Sequence, residues 1–232
     1  MNVINSLINK GPREDESWIS TADMMAGLMM IFLFIAIVYI QNVGQYVDAI
    51  SDVQERLCKE LKDEFKDVEK KWMMSICEDG LVIKFKNESV FKKGESQISD
   101  NFKIILNDFY PRFMDIIWAN KENISELRIE GHTSSEAIID SKLESYIFNT
   151  RLSQNRSRSV MDYALKLDKI ISNYEYLDWS YKNLTAHGMS SSDLIFYDNQ
   201  AENKTSSRRV EFRLKTNAQD NLIDIVRQLN AN

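Results

Sequence analysis

A single aspartate inside an apolar run constrains this chain more than any other feature. From Ala22 to Ile40 every residue is apolar except Asp23. At about 1.5 Å per residue, a helix over this run is about long enough for a hydrocarbon core of roughly 30 Å. The run is too long for the core of a signal peptide, and no small-residue cleavage site follows it, so it reads as a retained anchor. A carboxylate at that depth is expensive. An intramembrane acid is by default a functional residue, usually one that transfers an ion.

Asp23 has two readings on residue chemistry alone. In the first it relays ions. Hydrocarbon disfavours the charged carboxylate, so an acid opened alternately to each side of the membrane can load and release a cation. The driving force is about 2.3 kcal/mol per charge per 100 mV. Ser20 and Thr21 stand beside it; their hydroxyls can add ligands for sodium or can simply cap the helix. In the second reading Asp23 itself is a cap at the membrane edge, with the apolar residues from Met24 onward forming the span. The surrounding helix is rich in small and flexible residues, Ala22, Ala26, Gly27 and four methionines. These suit close packing between membrane helices and point to partner spans that this chain does not itself supply.

The rest of the chain reads as water-soluble. It has 232 residues, room for one good domain plus extras, and 28% of them are charged. A net charge of -6 with no basic, aromatic-interleaved patch argues against nucleic acid as a partner. Lys10 and Arg13 precede the span, and no Lys or Arg occurs from Gln41 to Ile50, which favours the N-terminus inside and the C-terminus outside.

Residues 1–17 read as a polar cytoplasmic tail and 18–42 as the transmembrane helix. Ser17 or Ser20 is its candidate cap, with Trp18 and Tyr39 at the two interfaces. Residues 43–75 read as a helical neck, with Val43, Val47, Ile50, Leu57, Leu61, Phe65, Val68 and Trp72 at mostly helical steps. That stripe can pair two copies or can pack on the domain behind it; Gln54 and Glu64 interrupt it, which argues against a long coiled coil. Residues 76–217 read as an α+β domain with strands at 81–85, 127–132, 184–188 and 208–214 and helices at 98–118 and 146–167. The order β-α-β-α-β-β predicts a two-layer sandwich with helices on one face. Residues 218–232 read as a short amphipathic tail helix. Cys58 and Cys77, the two cysteines, have no metal-ligand spacing. Outside the cytoplasm they can pair within a chain or across a dimer, and otherwise they are two unremarkable thiols.

A second constellation lies in the domain. Gly131-His132-Thr133 ends a strand, and Asn149, Leu152 and Arg156 share one face of the helix that follows. Arg156 can grip a carboxylate with a two-pronged fork; as a plain amphipathic helix the same residues need no ligand at all. His132 and His187 are too few for a metal site without convergent acids, and His132 is expected to hydrogen-bond and fix its turn. No Gly-x-Ser-x-Gly elbow and no phosphate-cradling glycine loop occurs, so no enzyme and no resident cofactor or metal is expected.

These residues carry a resemblance on both sides of the neck. Ser17-Trp18, Thr21-Ala22-Asp23-Met24-Met25 and the methionine- and phenylalanine-rich run resemble the single span of MotB-type stator subunits. Gly131-His132-Thr133, Asn149-x-x-Leu152-Ser153-x-x-Arg156, Gly188 and Ser207-Arg208-Arg209-Val210-Glu211 resemble the OmpA-like peptidoglycan-binding domain. The short, acidic chain is similar above all to the MotB-like B subunits of the Zorya anti-phage defence system. The resemblance implies an ion-driven rotary motor in the bacterial inner membrane, with five MotA-like A subunits around two B subunits and a periplasmic self-dimer holding the cell wall. It implies that Asp23, with Thr21 and Ser20, carries a proton, sodium being the alternative. It implies that Asn149, Leu152, Arg156, Phe148 and Thr133 hold peptidoglycan, with Arg156 on the stem-peptide carboxylate. The family reads Gly-His-Thr-Asp, an aspartate that helps to bind diaminopimelate. Here that position is Ser134, which supplies no charge for an ammonium group, and Glu136 or Asp140 is the candidate replacement.

Overall fold

The computed structural model describes residues 14–86, 90–92, 94–136 and 141–217. The expected tail helix at 218–232, Asp140 and most of the expected N-terminal tail lie outside them. The chain divides into two compact units, Met1–Ala49 and Ile50–Asn232.

The first unit is built on α1 (Glu14–Phe65). Within it Thr21–Gly44, 24 residues, is long and apolar enough to cross a membrane, and none of that stretch is buried inside the chain. The helix begins earlier than the sequence reading placed it. Ser17 and Ser20 lie inside it, so neither is its N-cap. Asp23 stands nine positions past Glu14 and cannot cap it either, because a capping side chain must precede the first helical residue.

The second unit opens on the last turns of α1. Leu57, Leu61 and Phe65 are fully buried in its core and Trp72 nearly so, so the lower part of the apolar stripe packs on the domain. Glu60 and Glu64 extend the attachment. Asn120 donates to the Glu60 carboxylate at 2.8 Å, and the Arg112 guanidinium donates to Glu64 at 2.6 Å while lying over the Phe65 ring. Cys58 and Cys77 are paired within the chain with their Cα atoms 6.0 Å apart, tying this helix end to the residue after the first strand.

Five strands follow: β1 (Met74–Ile76), β2 (Val82–Lys86), β3 (Ile124–His132), β4 (Leu184–Ser190) and β5 (Arg209–Thr216). They form one sheet in the order β1-β2-β5-β3-β4, parallel only between β3 and β4. The helices are α2 (Asp100–Ala119), α3 (Lys142–Ala164), two short ones, α4 (Asp168–Ile171) and α5 (Tyr174–Asn183), and one turn, α6 (Lys204–Ser207). Ser99 caps α2 by accepting from the Phe102 amide at 3.0 Å. The expected β-α-β-α-β-β order is present; β1 and the short helices α4, α5 and α6 are additions. β1 is three residues long and too short for alternation to mark it, and α5 follows a chain turn rather than a long apolar period.

The period of two along each strand sorts the sheet into faces. Phe85, Leu127, Ile129, Val210, Phe212 and Leu214 point to the helical side, where Phe102, Phe109 and Phe113 of α2 meet Phe85 and Phe212 with ring centroids 5.0–5.9 Å apart. The alternate residues Glu130, His132, Arg209, Glu211 and Arg213 face the other way. Two glycines let α3 approach the sheet. A Cβ on Gly131 would strike the Ser153 carbonyl, and one on Gly188 would strike the Gln154 backbone, so both strands need a residue without a side chain where the helix crosses.

Candidate functional site

Beside Gly131 and Gly188 the sheet end and α3 enclose a small cavity. It is lined by Gly94, Thr133, Ser134, Glu136, Asn149, Leu152, Arg156 and Arg208 and holds about 40 Å³, room for a small polar group. β3 delivers Thr133 and Ser134; the Thr133 amide donates to the Ser190 carbonyl at 2.8 Å. α3 delivers Asn149, Leu152 and Arg156 from successive turns. Ser153 locks helix to sheet by accepting from the Ser190 amide at 3.0 Å. Asn149 donates to the Ser134 carbonyl at 3.4 Å.

Arg156 dominates the site. It is 1% exposed. Its Nε donates to the Glu95 carbonyl at 2.9 Å and its guanidinium lies 4.9 Å from the centre of the Phe91 ring. Nη1 is buried without a hydrogen-bond partner, as is the Thr133 hydroxyl. Burial pushes the guanidinium down to about 10, and the positive charge of Arg208 adds to the push. At neutral pH it is still a cation, held in a poorly solvated place, and among the described residues no carboxylate lies on it. Such a group is set up for an anion brought from outside. Arg208 sits on the same cavity and donates to Glu136 at 3.3 Å. The neighbouring Ser135 donates its amide to Glu202 at 3.0 Å, and its hydroxyl donates to the same carboxylate.

The structure thus brings together Thr133, Asn149, Leu152 and Arg156. Phe148 is half-buried and outside the lining, since it points one residue around α3 from Asn149. Glu136, one of the two candidate replacements for the missing family aspartate, does line the cavity, while Asp140 lies outside the described residues. Arg208 and the Phe91–Glu95 support were not singled out as ligand residues in the sequence; the doubled arginine of the Arg208-Arg209 pair was the available signal.

On the opposite face, two acids do converge on His132. Its Nε2 lies 3.7 Å from Glu130 and 3.9 Å from Glu211, and neither ring nitrogen has a hydrogen-bond partner. His132 belongs to β3 rather than to a turn, and the expected turn-fixing hydrogen bond is not made. The Glu130, His132 and Glu211 ligand atoms lie within 4.8 Å of one another. Both carboxylates, however, already accept from guanidiniums, Glu211 from Arg209 at 2.5 Å and from Arg213 at 2.7 Å, and Glu130 from Arg213 at 3.1 Å. A cation here would have to displace two arginines, so the cluster works as a buried ion network.

In the first unit Asp23 and Thr21 are exposed along α1; the Ser20 side chain lies outside the described residues. A Cβ on Gly27 would meet nothing within 4 Å, so packing within the chain does not account for the glycine.

A helix long and apolar enough to cross a membrane, ahead of a sheet-and-helix domain of this topology, defines a class, chains that join a candidate span to an OmpA-type domain. Residues 90–208 match the model of the OmpA family. The fold is shared with a putative MotB-like protein from Desulfovibrio vulgaris, at a TM-score of 0.50 and 20% identity, covering 72% of this chain and 94% of that one. Two curated relatives match along nearly their whole length. The Zorya protein ZorB of Escherichia coli strain Crooks is 32% identical over 97% of this chain and 99% of its own. The ZorB of Escherichia coli O139:H28 is 28% identical over 89% of this chain and 84% of its own. The chain belongs to the family of the Zorya protein ZorB, and its C-terminal domain to the OmpA family.

Proposed function

We propose that this chain is the B subunit of an ion-driven rotary membrane motor anchored to peptidoglycan, acting in Zorya anti-phage defence. Two copies stand inside a ring of five MotA-like A subunits in the inner membrane, with the N-terminus cytoplasmic and the OmpA-type domains periplasmic, where they dimerise. Asp23 carries the ion, a proton, and the wall holds the second unit still while the ring turns. The chain catalyses no reaction of its own. The observation that carries this reading is one chain joining an acid-bearing apolar helix to a domain whose buried Arg156 has, among the described residues, no carboxylate on it. The position of Asp23 well inside α1, nine residues past Glu14, supports a relay over a capping role. Gly27, unused within the chain, suits close contact with A-subunit helices. The intrachain pairing of Cys58 and Cys77 fits an oxidising periplasm.

The test is Asp23→Asn, which keeps the shape and removes the charge. The complex should assemble, co-purify with its A subunit and lose both ion flux and protection from phage. Full protection by this variant would refute the relay and leave a passive, membrane-tethered wall anchor.

A further inference from the structure

Two elements hold the strap Ser134–Ser135 that follows β3. From α3, Asn149 donates to the Ser134 carbonyl at 3.4 Å. From a hairpin over residues 195–203, Glu202 accepts from the Ser135 amide at 3.0 Å and from the Ser135 hydroxyl. Each element carries an exposed aromatic ring beside its holding residue. Tyr146 stands three positions before Asn149, on the same helix face, and is 54% exposed. Phe196 is the bridge partner of Glu202. On either side of that pair the Asn203 amide donates to the Ile195 carbonyl at 2.8 Å and the Tyr197 amide to the Ala201 carbonyl at 2.9 Å. Phe196 and Glu202 are thus a non-hydrogen-bonded pair, whose side chains stand close together on one face. Phe196 is therefore on the Ser135 side of the hairpin, and it is 57% exposed. Tyr197, next in the chain and 55% exposed, points to the other side. The hairpin is anchored: the Ile195 amide donates at 2.9 Å to the hydroxyl of Ser207, which is fully buried. A single exposed aromatic is ordinary, but here two are set against one strap, at the cavity that Ser134 lines.

We propose that Phe196 and Tyr146 form a second contact beside the cavity, for the sugar strand of the wall. This rests on the wall-binding reading above and adds a ligand class to it, a polysaccharide of pyranose rings. A pyranose turns a face of C–H groups outward and keeps its hydroxyls around the rim. Such a face packs on an aromatic ring, which buries apolar surface on both partners and leaves the hydroxyls in water. The Tyr146 phenol can also exchange a hydrogen bond with a sugar hydroxyl. In peptidoglycan the stem peptide is bonded to the sugar strand, so a peptide seated at Arg156 brings its own sugar to the mouth of the cavity. The sugar contact is then intramolecular and adds affinity without a second association step.

Two probes isolate the sugar contact in the full-length complex: the tripeptide L-alanyl-γ-D-glutamyl-meso-diaminopimelate, and the same tripeptide carried on its N-acetylglucosaminyl-N-acetylmuramic acid disaccharide. Binding is measured by calorimetry on wild type and on Phe196→Ala, Tyr146→Ala and Tyr197→Ala. The wild type should bind the disaccharide probe about tenfold more tightly than the bare tripeptide, the worth of two aromatic contacts. Phe196→Ala and Tyr146→Ala should each weaken the disaccharide probe about threefold and leave the tripeptide unchanged. Tyr197→Ala, as exposed but on the far side of the hairpin, should change neither. Equal binding of the two probes by the wild type would overturn the proposal, and that comparison needs no variant to fold. A loss that falls equally on both probes, or a loss in Tyr197→Ala as large as in Phe196→Ala, would also overturn it. If the wild type binds neither probe while its A subunit remains attached, the wall-ligand reading itself falls, and this proposal with it.

Discussion

Replacing Arg156 by methionine should make the unliganded protein slightly more stable while abolishing its hold on the wall. The guanidinium is driven well below its ordinary value, to about 10, first by burial and then by Arg208. At about 1.4 kcal/mol per unit, holding the charge there costs about 3 kcal/mol. Against this stand the Nε bond to Glu95 and the contact with Phe91, together about 2 kcal/mol. Methionine keeps the apolar stem and drops the charge, leaving about 1 kcal/mol in its favour. For a folded unit of this size that is a rise in Tm of roughly 2–4 °C. The assay is thermal unfolding of the full chain in detergent, followed by tryptophan fluorescence without ligand, beside sedimentation with purified peptidoglycan. Pelleting should fall at least a hundredfold in apparent affinity, about the worth of two charged hydrogen bonds. A Tm lowered by several degrees would show that Arg156 is a structural residue and would remove the argument that it awaits an anion. Unchanged pelleting would refute its assignment to the wall site.

The pairing of Cys58 with Cys77 closes a loop across a separation of 19 residues, so changing both to serine should cost roughly 3 kcal/mol of stability, seen as a lowered Tm that reductant reproduces in the wild type; a non-reducing gel should show the monomer, and a reductant-sensitive dimer would refute the intrachain pairing. Gly188→Ala should cost about 1–3 kcal/mol by forcing α3 off the sheet, and a variant melting with the wild type would show that the helix yields freely. Burial alone would raise the Glu130 carboxyl, but His132 and Arg213 outweigh it and hold it below its ordinary 4.5. A lowered acid stabilises the fold fully above its unfolded value and loses that contribution as pH falls through the folded one. Denaturant unfolding from pH 6 to pH 3 should therefore show a shallower acid loss in Glu130→Gln than in the wild type, the divergence starting near pH 4.5; parallel curves would count against the network.

Long apolar periods made most of the fold legible. Ile98, Phe102, Ile105, Phe109 and Phe113 marked α2 because one face of that helix meets the sheet along its whole length, and the alternation of Leu127, Ile129 and Gly131 marked β3 because one of its faces is core. The rest escaped for physical reasons. β1 is too short to show a period. The start of α1 has no cap among the residues that seemed to offer one, because the helix runs past Ser17 and Ser20 without a break. The lower neck was ambiguous, since a stripe of Leu57, Leu61 and Phe65 reads the same whether its partner is a second copy or the domain behind it. The partners that settle it, Arg112 in α2 and Asn120 at its C-cap, come some fifty to sixty residues later.

The same logic divides the site. Asn149, Leu152 and Arg156 share a helix face, so spacing alone groups them. Arg208 and Glu136 are 72 residues apart, and only the antiparallel pairing of β5 with β3, which sets Arg209 opposite His132, brings the residue before one strand to the residues after the other. That pairing also decides what the two arginines do. Arg209 has the parity of the buried ion network and is consumed by Glu211 and Asp193. Arg208, one residue earlier, lies before the strand begins and turns to the cavity instead. A doubled arginine thus serves two unrelated tasks, one cation neutralising acids under the sheet and the other left at a ligand site. Exchanging their roles would require a one-residue slip of β5, which would also turn Val210, Phe212 and Leu214 out of the core.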